Sequence, residues 1–204
     1  AASDVYKRQG INGIANNAEI MTLRVHPGKG EPYLKDMTLA IRYAINHGAS
    51  VIVLPEQNTI YNETQKQWLI DALKEAEKKG ALVIVPTWNL SVDLDEYEFL
   101  PNRKMTTDGE LTNFMTVAPS DKNGNPVMQA NYGAKMLDLY APGVDVYSTY
   151  MGDTYKKGSG ESMASSVVAG VAALLKTYFP KLTGTQIRDI LLKSVTSRKG
   201  VEVE

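Results

Sequence analysis

Cysteine is absent from the 204 residues, so disulfide bridges, thiolate metal sites and cysteine nucleophiles are excluded. No run approaches the roughly 20 apolar residues that a membrane-spanning helix requires, and no charged-then-apolar leader pattern opens the sequence. Neither sign of charge is in excess. The formal charge is −1, Lys and Glu are interspersed, and there is no basic stripe of the kind that recruits nucleic acid or an anionic bilayer. Histidine is scarce: only His26 and His47 are present, so few side chains can exchange a proton near neutral pH. What is there suits a globular chain, since 43% hydrophobic and 22% charged residues are what one ordinary α/β domain needs.

The first nine residues, AASDVYKRQ, carry neither helical nor strand periodicity, and Asp4 to Gln9 resembles the translation of a transposon-derived sequencing adapter. Residues 1–9 are therefore set apart from the fold, and a partial domain is expected over residues 10–204. No internal repeat or linker divides it.

Beyond that point strand-like runs alternate with amphipathic helices, the pattern of a parallel sheet covered on both faces. Ala18 to Val25 reads as a first strand. Leu34, Met37, Ile41, Ala44 and Ile45 share one face of a helix over Tyr33 to Asn46 that stops at Gly48. Val51 to Leu54 follows as a buried strand. Asn62 and Gln65 have capping-box spacing ahead of a stripe of Trp68, Leu69, Ala72, Leu73 and Ala76 that ends at Gly80. Ala81 to Val85 and Phe114 to Val117 are apolar strands, separated by an acidic, irregular stretch from Leu90 to Leu111 that suits a binding loop or an insertion. Met136 to Tyr140 and Val144 to Thr149 are short strands. Two helices close the chain, from Ser162 to Tyr178 and from Gln186 to Val195, the second capped by Thr183.

The segment Gly158-Ser159-Gly160-Glu161-Ser162-Met163-Ala164-Ser165 places a serine at the start of an apolar helix, behind a glycine-rich turn. Unpaired backbone N–H groups and the positive end of the helix dipole favour negative charge there, as a nucleophilic serine requires. The same local pattern also suits a serine N-cap. Gly160-x-Ser162-x-Ala164 further imitates the nucleophile elbow of α/β-hydrolases, but that arrangement needs a histidine after the serine and none follows.

The stretch Gly160-Glu161-Ser162-Met163-Ala164-Ser165-Ser166-Val167-Val168-Ala169-Gly170 resembles the subtilase sequence Gly-Thr-Ser-Met-Ala-(Ser/Thr)-Pro-x-Val-Ala-Gly around that family's catalytic serine. Further landmarks fall in the family's order: Gly13-Ile14-Ala15-Asn16-Asn17-Ala18, then Asn46 to Val51, Ala141-Pro142-Gly143, Tyr147-Ser148-Thr149 and Phe179-Pro180. The resemblance spans Gly13 to Val195. It implies a subtilisin-like, three-layer α/β/α parallel sheet, truncated at the N-terminus, and a serine endopeptidase acting on peptide or protein substrates. It also implies an extracellular or periplasmic location.

On the same resemblance Ser162 is the nucleophile. Val85 to Asn89 aligns with the family's Ala-Ala-Gly-Asn strand end, making Asn89 the oxyanion-donating amide; an asparagine in a loop turn is the alternative. Both earlier triad members, Asp and His, stand in the family before the point where this match begins. His26 and His47 read as a solvated and a dipole-paired histidine. At the substrate pocket the family's Ser-x-Gly strand end is replaced by Pro55-Glu56-Gln57, the glycine before the oxyanion asparagine by Trp88, expected to fill the pocket it borders, and the threonine before the nucleophile by Glu161. A carboxylate there opposes a developing oxyanion. Such changes also suit a catalytically inactive pseudoprotease that binds or regulates. No cofactor is implied; Asp93, Asp95, Glu96 and Glu98 form an acidic loop of the kind that holds calcium in several subtilases, but they lack EF-hand spacing and read as a solvated loop.

Overall fold

A computed structural model describes residues 11–29, 32–54 and 62–197. Four strands, β1 (Val51–Val53), β2 (Leu82–Pro86), β3 (Phe114–Ser120) and β4 (Leu139–Pro142), form one sheet in the order β1-β2-β3-β4. Every pairing in it is parallel, with Val51 opposite Leu82, Val83 opposite Phe114 and Val117 opposite Leu139. β2 and β3 are buried along their whole length, which explains their continuous apolar sequences: both faces of a parallel sheet are covered by its crossover helices.

Alternate residues of β2 enter different cores. Val83 and Val85 join Leu69, Leu73 and Ala76 of α2 (Glu63–Lys78) and Met37 and Ile41 of α1 (Leu34–Asn46). Leu82 and Ile84 join Ala164, Val168 and Ala172 of α3 (Glu161–Tyr178) and Ile187 and Leu191 of α4 (Gly184–Lys193). The expected three-layer α/β/α architecture is the one observed. Between β4 and α3 the chain makes an antiparallel hairpin, β5 (Val146–Tyr150) with β6 (Thr154–Gly158).

The strand expected over Ala18 to Val25 does not form. Its alternation survives in part, with Leu23 turned against the α1/α2 core and Arg24 exposed, but no neighbouring strand among the described residues supplies a ladder. Apolar alternation predicts which side faces inward; it makes a strand only where a partner satisfies the backbone. Trp68, expected in the buried stripe of α2, is 46% exposed, and Ile70 is buried instead. β6 is not legible in the sequence, because Thr154-Tyr155-Lys156-Lys157-Gly158 is polar and only its pairing with β5 defines it.

Candidate active site

Two connections leave the C-terminal ends of the sheet strands and meet. In open α/β sheets this is the edge where loops create a crevice. From β2 the chain passes through Thr87 and Trp88 to Asn89, which is exposed. The segment just beyond is fixed by the fully buried Asn131, whose Oδ1 accepts from Leu90 N at 2.9 Å and Val92 N at 3.3 Å. Ser91, at φ 54°, donates its hydroxyl to Met128 O at 3.1 Å.

From β4 the chain reaches Gly143, whose N–H donates to Ser120 O at 2.9 Å and whose carbonyl accepts from Gly160 N at 2.8 Å. A β-carbon on Gly143 would lie 2.6 Å from Pro119 Cβ and 2.9 Å from Gly160 O, so the absence of a side chain is what lets α3 start against the strand ends. Gly160 is the N-cap residue at φ 149°, and no side chain caps the helix. The first N–H groups of α3 thus face outward at the positive end of its dipole.

Glu161 and Ser162 open that helix. Asn89 Nδ2 donates to Glu161 Oε2 at 2.6 Å, short even for a hydrogen bond to a carboxylate. The Asn89 amide therefore stands beside the residue that precedes Ser162. Ser162 is exposed, its carbonyl accepts from Ser165 Oγ at 3.1 Å and Ser166 Oγ at 2.7 Å, and its own hydroxyl has no hydrogen-bond partner among the described residues. The serine and the asparagine singled out in the sequence are brought to one end of the sheet, with Glu161 between them.

The other candidate residues are placed differently. Pro55, Glu56 and Gln57 lie outside the described residues. Trp88 is half-buried, its ring tilted against Phe99 at 5.3 Å between centroids and packed on the cluster of Leu94, Phe99, Ala118, Ala130 and Leu137. Its indole is thus anchored under the Leu90 to Leu111 segment. His47 follows α1 at the N-terminal end of β1, the far edge of the sheet; its Nδ1 lies 2.8 Å from Tyr43 O and its ring stacks on Tyr43. His26 is exposed ahead of α1.

In the acidic segment, Asp95 accepts from the N–H groups of Lys135 and Met136, Asp93 from Asp95 N, and Glu98 pairs with Lys66 at 3.3 Å. These carboxylates tie the loop to the 133–136 turn and to α2. No grouping of three or more metal-ligating side chains occurs among the described residues, and no helix among them is long and apolar enough to cross a membrane. Gly143 falls in the Ala141-Pro142-Gly143 landmark of the sequence, whereas Asn131 has no signal there, since a lone buried asparagine carries none.

The pattern of the subtilase family matches residues 1–204. The alkaline protease of Alkalihalobacillus alcalophilus is 34% identical over 188 residues, which is 92% of this chain and 46% of that protein. Subtilisin BL of Lederbergia lenta is also 34% identical, over 92% of this chain and 64% of its own length. This chain thus spans between about half and two thirds of the length of these relatives. Among solved structures, a cold-adapted subtilisin-like serine proteinase superposes with a TM-score of 0.78 at 23% identity, over 94% of this chain and 65% of that one. The prenylagaramide maturation protease PagA gives 0.77 at 25%, over 93% and 68%.

Proposed function

The chain belongs to the subtilase family, and from that membership we propose that it is the nucleophile-bearing part of a serine endopeptidase domain. The observation that carries the reading is the meeting of Asn89 with the first turn of α3, one residue from Ser162. In this reading the Ser162 hydroxyl attacks a peptide carbonyl and its proton passes to a base. The oxyanion is held by the free N–H groups of α3 and by the Asn89 amide. The worth of one such side-chain donor, roughly 10²–10³ in kcat, is a subtilisin figure and so is carried over from the family.

The base is not supplied by His47, which stands at the opposite edge of the sheet with its ring held by Tyr43, and His26 is not bonded to Ser162. We assign the base, and the acid that orients it, to sequence outside this chain. Export from the cytoplasm goes with the same reading. On its own, the 204-residue chain is expected to hydrolyse no peptide, because a serine without its base is a weak nucleophile. A fluorophosphonate probe applied to the full-length protein is expected to label Ser162, and Ser162→Ala is expected to abolish the label.

A second reading has its own observation. The Asn89 donor is already occupied by the Glu161 carboxylate, which suits a pseudoprotease that binds peptides without cleaving them. Absence of label on a folded full-length protein would select this reading. The gene upstream of Gly10 separates the two as well: an Asp-Ser/Thr-Gly strand end followed by His-Gly-Thr-His belongs to the protease, and their replacement to the binding protein.

A further inference from the structure

Glu161 is partly exposed at the mouth of the site, and among the described residues it has no cationic partner; its carboxylate accepts from the Asn89 amide at 2.6 Å. Two other exposed carboxylates do have cations: Asp145 has Lys157 at 3.9 Å and Glu98 has Lys66 at 3.3 Å. A carboxylate without a cation, at the positive end of a helix, is held there by the dipole and by one amide. While it stays, it occupies a donor that a reacting carbonyl would use and places negative charge where an oxyanion would form. A neutral peptide gives it no reason to leave. A guanidinium or ammonium group does, because it supplies the missing counter-charge and compensates for the lost Asn89 bond.

We propose that Glu161 is a specificity gate: it masks the Asn89 amide until a basic side chain of the bound peptide draws it away, so the site selects peptides with Arg or Lys beside the reacting carbonyl. The proposal rests on the reading of Ser162 and Asn89 given above and extends it to a substrate class. Glu161 acts through Asn89, as a positioning residue, and the selectivity it confers resides in a charge that Gln lacks.

The test follows the Asn89 side-chain amide by ¹⁵N–¹H NMR on the full chain, assigned with Asn89→Ala, and needs no hydrolysis. Addition of acetyl-Ala-Ala-Arg-amide is expected to move the Asn89 signals away from their carboxylate-bonded position, and acetyl-Ala-Ala-Glu-amide is expected to leave them. In Glu161→Gln, and independently in Glu161→Thr, the two peptides are expected to bind within about twofold of each other, against a preference of at least tenfold for the Arg peptide in the unaltered chain. Equal binding of both peptides to the unaltered chain overturns the proposal, as does an Arg preference that survives both substitutions. Those results leave the nucleophile reading standing, since that is decided separately by Ser162-dependent labelling of the full-length protein.

Discussion

At the level of single residues, the site depends on positions with very different legibility. Ser162 and Asn89 could be picked out because they sit in short, ordered motifs whose chemistry is local: a serine behind glycines at a helix start, an amide just after an apolar strand. Gly143 works by what it lacks. Its α-carbon separates Pro119 at the end of β3 from the Gly160 carbonyl at the start of α3, and an added methyl would meet both at under 3 Å. Gly143→Ala is therefore expected to destabilise the fold by about 1–3 kcal/mol, the usual cost of overpacking a close contact, measured as a shift in the urea midpoint. Because the methyl would push against Gly160, the same substitution is expected to slow probe labelling of Ser162 in the full-length protein more than it lowers the midpoint. Asn131 shows the opposite limit. It fixes Leu90 and Val92 from about 40 positions away, and nothing in the neighbourhood of an asparagine announces such a bond.

At the level of elements, helices are more legible in the sequence than strands because helical information is carried within the element. The Asn62 and Gln65 pair forms a complete capping box at the start of α2, and Thr183 and Gln186 form another at the start of α4. Each side chain satisfies a backbone N–H that the helix cannot. Asn62→Ala is expected to lower stability by about 1 kcal/mol, and Thr183→Ala by a similar amount, each seen as an earlier unfolding transition by circular dichroism. Strands depend on neighbours. The buried runs of β2 and β3 were recognisable because both faces are covered, whereas Ala18 to Val25 kept part of its alternation and yet found no ladder among the described residues, and β6 exists only through its partner β5. The sequence pattern told which residues turn inward; the pairing was decided by long-range hydrogen bonds that leave no local trace.

At the level of the whole molecule, one buried carboxylate joins parts that no sequence pattern connects. Asp138, whose side chain is 3% exposed, accepts from Arg103 Nη1 at 2.5 Å, Arg188 Nη2 at 2.5 Å and Thr116 N at 2.8 Å. Arg188 also donates through Nε to Phe114 O at 2.8 Å. The cluster thereby ties the irregular segment after β2, the first residues of β3 and α4 into a single body, and α4 in turn packs on the core beneath α3, on which Ser162 stands. Removing only the carboxylate leaves the Arg188 guanidinium largely out of water with no counter-charge among the described residues, and leaves Arg103 with only the exposed Glu110 at 3.4 Å; breaking such a buried pair costs about 3–5 kcal/mol. Asp138→Leu is therefore expected to lower the unfolding free energy by that amount. Replacing all three charges at once removes the desolvation penalty together with the attraction, so Asp138→Leu combined with Arg103→Met and Arg188→Met is expected to recover most of the loss. Urea unfolding of the single and triple variants measures both quantities. If the triple variant is no more stable than Asp138→Leu alone, the cluster acts through its specific hydrogen bonds to β3 and not through the balance of buried charge argued here.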